Sequence, residues 1–207
     1  MTNQLETSPR QRILGAVITC IEKDGFENLT TRKIAEEAGT NIASINYYFR
    51  SKDLLVAETL AMTVQHMQDD LCALIERPAY SFVENLFEVF LFLIEGGLHF
   101  PGTTMAHMYG FLVEKRYDAP VVKAFHHVFA LLVEYAAKDF PSLAEKDIRL
   151  ALVQVLSSAF FIMLAPGFFS PLIPLDLSQS GASKQLAHYL TRAFARNLGI
   201  PLSVGTV

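Results

Sequence analysis

Residues 40–55 read TNIASINYYFRSKDLL. A helix that served only for packing would bury Ile42, Ile45 and Phe49 and cover its other face with Glu or Lys. Here the other face carries Asn41, Ser44, Asn46, Tyr47 and Tyr48, all neutral hydrogen-bonding groups, and the cations Arg50 and Lys52 follow directly. Such a face is made to touch something. Other combinations with chemical potential are weaker. Residues 97–104, GLHFPGTT, approach the phosphate-cradling pattern G-x-x-x-x-G-K-[ST], but Thr103 replaces the lysine and no strand pattern precedes it. There is no G-x-S-x-G elbow and no H-E-x-x-H pair. His66, Asp69 and Asp70 fall at i, i+3 and i+4 of a helix, which fits a solvated face better than a metal site. His126 and His127 are adjacent and point about 100° apart, so they do not share one face. The expectation is a protein that is not an enzyme, with no catalytic residue, no metal site and no cofactor.

The whole chain sets limits on what that face meets. It has 207 residues, 51% hydrophobic and 18% charged, with a formal charge of −4. That is ample core material and no sign of global disorder. A strongly basic domain is absent, so any nucleic-acid site must be local. Cys20 and Cys72 are the only cysteines and each sits among apolar residues at helical spacing. They are expected to be buried thiols in a reducing compartment. The N-terminus, MTNQLETSPRQR, lacks the apolar core of a signal peptide. The uncharged run 150–175 is broken by Pro166, Gly167, Pro171 and Pro174. Its helical part, about 16 residues or roughly 24 Å, falls short of a roughly 30 Å hydrocarbon layer, so a buried helix and no membrane partner are expected.

Start and stop signals divide the chain into helices, with strand alternation nowhere. Ser8, Pro9 and Gln11 open the first helix and Gly25 stops it; Thr30 caps a short second helix that Gly39 closes. Asn41 caps the third and Ser51 the fourth, which runs without a breaker from about 52 to 76, roughly 37 Å. Further helices are predicted over 82–95 after a Ser81/Glu84 capping box, 103–116, 119–138, 143–165 after a Ser142/Glu145 box, and 183–198 before Gly199 and Pro201. Residues 166–181 form the one long irregular connection.

Helices two and three with the turn at Gly39 make a helix-turn-helix supported by helix one. Two helices of about eight residues are unstable alone, so such a unit presents one helix outward from a small core. The segments RILGAVITCIEKDGFENL and TTRKIAEEAGTNIASINYYFRSKDLL resemble the DNA-binding domain of TetR-family transcriptional repressors. The order of Gly25-Phe26, Thr31, Ile34-Ala35, Ala38-Gly39, Tyr47, Phe49, Lys52 and Leu54-Leu55 carries the resemblance. It implies phosphate contacts from Thr31, Tyr47, Tyr48 and Lys52, with Thr40, Asn41, Ala43, Ser44 and Asn46 nearest the base edges. Two departures stand out. Thr40 occupies a usually apolar position, and Asn46 replaces the first aromatic of the helix, so an operator sequence does not transfer by analogy. Residues 1–61 hold seven basic and eight acidic residues, yet residues 38–52 hold Arg50, Lys52 and no acid, so the presented edge is positive.

The remaining two thirds carries no matching motif. Residues 86–113 have only Glu88 and Glu95 as charges and are rich in Met and Phe. With His107 and Tyr109 as polar handles, they suit an apolar cavity. Phe87, Phe92, Met105, Met108, Tyr109 and Leu112 are the candidate ligand-binding residues, and a ligand there could tilt the fourth helix. Leu152, Leu156, Phe160, Leu186, Leu190 and Phe194 are expected on exposed faces of the last two long helices, pairing two copies as a four-helix bundle. The fold expected is all-α, a three-helix helix-turn-helix domain at 8–55 followed by a larger helical ligand-binding and dimerisation domain at 56–200. The function expected is a cytoplasmic homodimeric regulator, a repressor, with a palindromic double-stranded DNA operator and a small apolar effector as partners. The rival class is a helical carrier or enzyme that retains the helix-turn-helix without binding an operator; salt-dependent binding to the upstream DNA separates the two.

Overall fold

The computed structural model describes residues 8–177, 179 and 181–202, so the start of the N-terminal stretch read for a signal peptide, residues 1–7, lies outside them. Among the described residues there are α-helices, one 3-10 turn and no strand. The helices are α1 (Pro9–Asp24), α2 (Thr31–Glu37), α3 (Ile42–Phe49), α4 (Lys52–Ile75), α5 (Phe82–His99), α6 (Pro101–Leu112), α7 (Pro120–Asp139), α8 (Glu145–Leu164), α9 (Pro166–Phe169) and α10 (Ala182–Asn197).

Most boundaries follow from local chemistry. The Ser8 and Gln11 side chains exchange hydrogen bonds with each other's backbone N–H, Pro9 opens α1, and Gly25 ends it at φ 81°. Ser81 and Glu84 repeat the box at α5. Ser51 Oγ accepts from Leu54 N at 3.2 Å at the start of α4. Some expectations fail. The Ser142/Glu145 box does not form: α8 begins at Glu145 behind Ala144, whose side chain cannot cap, and the Glu145 carboxylate pairs with Arg149 Nε at 2.7 Å. Helix α5 continues past Glu95 through Gly96 and Gly97. Gly97 sits against Met163 so closely that a Cβ there would lie 2.8 Å from the sulfur, so a bare backbone suits this packing. Helix α6 starts at Pro101 and ends at Leu112, earlier at both ends than expected, and α9 places one helical turn inside the supposedly irregular stretch.

Two compact units result. The first takes the described residues up to Gln65 together with Gly102–Val121. Its core is Ile13, Val17, Ile21, Ile34, Ile45, Phe49 and Leu55, and Ala106 of α6 belongs to it. The second takes His66–Pro101 and the described residues from Val122 onward. Here α5, α8 and α10 pack on one another, with α7 and the end of α4 adding to a core that includes Leu86, Phe90, Leu132, Leu152 and Phe194. Packing therefore groups residues 56–65 and 102–121 with the helix-turn-helix, a wider unit than the expected DNA-binding domain of 8–55.

The apolar faces of α8 and α10 also differ from expectation. Leu152, Leu156, Leu186, Leu190 and Phe194 are buried within the second unit's own core, and only Phe160 is partly exposed. The residues read as a dimer face are the ones that α5 already covers. What α8 leaves open is Leu150, Val153 and Phe161, with Ser157 between them on the same helical stripe. By length and composition α8 could cross a membrane, but Ile148, Ala151, Leu152, Val155, Leu156, Ala159 and Met163 are buried in the protein. Cys20 is buried and Cys72 only partly so; both are free thiols, and burial raises both pKa values.

Candidate nucleic-acid interface

The helix-turn-helix is built by three short-range devices. Thr30 Oγ1 accepts from Lys33 N at 3.2 Å and starts α2. Gly39 at φ 61° turns the chain, a conformation that costs glycine nothing, and Thr40 N then donates back to Ala35 O at 2.9 Å. Asn41 Oδ1 accepts from Ser44 N at 2.8 Å and starts α3. Ile45 and Phe49 lock α3 onto α1 and α2 by being fully or nearly fully buried. At about 100° per residue the direction opposite those two is centred on Tyr47 and Ala43, with Ser44 and Asn46 on either side.

Exposure follows that geometry. Tyr47 is 81% and Tyr48 39% exposed, their rings edge to face with centroids 5.1 Å apart. Asn41, Ala43 and Asn46 are exposed; Thr31, Thr40, Ser44 and Lys52 are partly exposed. All nine residues expected at DNA thus lie on α3, in the turn that leads into it, or at the starts of α2 and α4. Ile42, expected in the core, is 46% exposed, because the first residue of α3 projects beyond the packed part of the helix. Lys52 is more constrained than its sequence suggested, since its Nζ donates to Leu29 O at 3.2 Å. That bond ties the start of α4 to the loop before α2.

The residues that resembled a phosphate loop have a different use. Gly102 N and Thr103 N, at the start of α6, donate to the two carboxylate oxygens of Glu22 at 2.9 and 2.7 Å, and Thr103 Oγ1 donates to Oε1 at 2.6 Å. The helix N-terminus does hold an anion, but it is a carboxylate of α1. Gly102 is needed for the approach, because a Cβ there would lie 2.8 Å from the Ile21 carbonyl oxygen. Sequence reasoning missed Glu22; the spacing of the glycines in 97–104 was the only signal.

The expected ligand-binding residues are divided between the two units. Phe87 and Phe92 belong to the second unit, whereas Met105, Met108, Tyr109 and Leu112 belong to the first. Phe87 is buried and stacks on His188 with centroids 4.4 Å apart. Met108 is buried, Met105 and Leu112 are exposed, and the Tyr109 ring lies 6.3 Å from that of Phe26. His107 has a definite role. Thr63 Oγ1 donates to Leu60 O at 2.9 Å, which uses its only proton, so the 3.0 Å contact with His107 requires Nε2–H of the imidazole to be the donor. Burial lowers the pKa of this histidine to about 4. Among the described residues no group of three or more His, Cys, Asp or Glu side chains could hold a metal ion.

Comparison with known proteins agrees with this geometry. The family of bacterial regulatory proteins named for TetR matches residues 13–59. A helix-turn-helix-type transcriptional regulator from the dhlA 5′ region of Xanthobacter autotrophicus, itself uncharacterised, is 32% identical over 76 residues. That match spans 37% of this chain and 36% of the relative's length. Among solved structures, a TetR-family regulator from a Rhodococcus species aligns with a TM-score of 0.63 at 15% identity, covering 93% of this chain and all of that one. The fatty acid degradation regulator FadR of Bacillus halodurans aligns at 0.65 and 15% identity over 90% and 96% of the two chains. FadR of Bacillus subtilis, in complex with stearoyl-CoA, aligns at 0.63 and 14% identity over 92% and 98%. Residues 13–59 thus match the family's DNA-binding domain, and the chain as a whole shares the fold of these regulators.

Proposed function

We propose that the protein is a homodimeric repressor that binds a palindromic double-stranded operator and is released by a small, largely apolar effector. In this reading residues 8–55 contact DNA and residues 56–200 bind the effector and the second copy. The observation that carries it is the face of α3 opposite its buried side. That face is solvent-exposed, free of acids, and made of groups that pair with base edges and phosphates. Thr40, Asn41, Ala43, Ser44 and Asn46 take the base edges, and Thr31, Tyr47, Tyr48 and Lys52 take the phosphates on either side.

The exposed stripe of Leu150, Val153, Ser157 and Phe161 on α8 supports pairing with a second copy, since a two-fold axis would make such a face self-complementary. The stearoyl-CoA complex of the Bacillus subtilis regulator supports effector binding in a body of this fold. Phe87, Phe92, Met105, Met108, Tyr109 and Leu112 are the residues proposed to respond to it. Effector and DNA then weaken each other by the same factor. A DNA partner places the protein in the cytoplasm.

The test is titration of the protein against a duplex taken from upstream of its own gene, at several salt concentrations. Submicromolar binding whose log affinity falls linearly with log salt is expected. Binding that is absent at 50 mM salt would remove the DNA-binding reading.

A further inference from the structure

Of the seven basic side chains in residues 8–65, six are already engaged within the protein. Arg10 pairs with Glu58, Lys23 with Glu37 at 2.7 Å, Arg32 with Glu36 at 3.0 Å and Lys33 with Asp24 at 2.8 Å. Lys52 donates to the Leu29 carbonyl, and Arg12 has an interaction of its own. Arg50 alone has no side-chain hydrogen bond or ion pair among the described residues. It is exposed, at the C-terminal end of α3.

Its backbone is unusual too. Arg50 sits at φ 65° and ψ −41°, and Ser51 N donates to Phe49 O at 2.7 Å across it. This is a γ-turn of the rare, strained sense. A non-glycine residue there is strained, and glycine would remove most of that strain. The turn directs a long cation away from the packed side of the helix-turn-helix, at the end of α3 where a duplex backbone would pass.

Resting on the DNA-binding reading proposed above, we infer that Arg50 is a further phosphate-contacting residue of the interface and supplies its principal free cation, beside Lys52, whose Nζ is already tied to the Leu29 carbonyl. A phosphate in that position gives the guanidinium the partner that the fold withholds.

The test uses the full-length protein and the variants Arg50→Asn and Arg50→Lys. The probes are a duplex enriched by wild type from a randomised pool and an unrelated duplex of equal length. Asn takes positive φ more readily than most side chains, so Arg50→Asn removes the charge, and thermal melting checks that the turn is kept. It is expected to lower the slope of log affinity against log salt by about 1 per bound protomer. Affinity for both duplexes should fall by about eightfold per protomer at 0.1 M salt, the counterion contribution of one contact. Arg50→Lys should stay within about twofold of wild type. Thermal melting should show Arg50→Asn at least as stable as wild type, so the loss is not one of folding. An unchanged slope in Arg50→Asn, a loss confined to the enriched duplex, or an Arg50→Lys as weak as Arg50→Asn would each overturn the inference while leaving the DNA-binding reading intact. Failure of wild type itself to bind either duplex would remove both.

Discussion

Replacing Glu22 by Ala should detach the start of α6 from α1. The carboxylate accepts three hydrogen bonds, from Gly102 N, Thr103 N and Thr103 Oγ1, all within 2.9 Å. Hydrogen bonds to a charged group contribute about 1.5 to 3 kcal/mol each, and the helix N-terminus adds roughly 0.3 to 1 kcal/mol for a nearby anion. The three share one acceptor group, and Glu22 is partly exposed, so their sum is discounted by about half. A loss of about 3 kcal/mol remains, because Thr103 is buried and its hydroxyl and amide would be left without that partner. Urea unfolding of the full chain measures it. Glu22→Gln, which keeps an acceptor but loses the charge, should cost about 1 to 2 kcal/mol. Thr103→Val in a double-mutant cycle with Glu22→Ala should show a coupling of about 1 kcal/mol. Gly102→Ala should also destabilise, since its Cβ meets backbone at Ile21 and not a movable side chain. A Glu22→Ala protein within 0.5 kcal/mol of wild type would refute the claim that this clasp fixes α6 to the reading unit.

Three further outcomes are expected. The pKa of His107 is held near 4, below the ordinary 6.5. The unfolded chain therefore takes the proton first, and stability is undiminished above pH 6.5 and drops by up to about 3 kcal/mol as pH falls from 6.5 to 4. His107→Gln should show a shallower fall than wild type across that range in urea titrations, and an identical slope would contradict the assignment. Asn85 is buried, donates to Ile75 O and Arg77 O, and accepts from Arg77 Nε. Asn85→Ala should therefore lower stability by about 2 to 3 kcal/mol, a value that a melting shift of less than a degree would exclude. On α8, Val153→Glu should yield monomers in light scattering with melting temperature little changed, whereas Leu152→Ala should unfold more easily by about 2 to 5 kcal/mol. The reverse pattern would restore the face that the sequence first suggested.

Helix starts were legible because they are decided within four residues. Ser8 with Gln11, Thr30, Asn41 and Ser81 with Glu84 all cap as their spacing predicts. The pair Ser142 and Glu145 has the same spacing and does not, since the helix begins two residues later than a box would need. Faces were less legible. Leu152 and Leu190 have the same apolar character whether α5 or a second copy covers them, so only the fold decides which. The exposed face of α3 could be read because the helix is short and two buried residues, Ile45 and Phe49, fix its orientation. Glu22 and Arg50 could not. The role of one depends on a partner eighty residues away, and that of the other on a backbone angle and on the engagement of every neighbouring cation.

The central claim is that the outward face of α3 reads DNA sequence, and selection from a randomised duplex pool by wild type and by Ser44→Ala tests it most directly. Ser44 caps nothing through its side chain among the described hydrogen bonds, so its hydroxyl can be removed without touching the fold. Wild type is predicted to enrich a palindrome with half-sites spaced by whole helical turns. Ser44→Ala should enrich a motif altered at one position per half-site, with a loss of about 1 to 3 kcal/mol on the wild-type sequence and an unchanged salt slope. Enrichment of no motif by wild type, or of the same motif with the same affinity by both proteins, would contradict it.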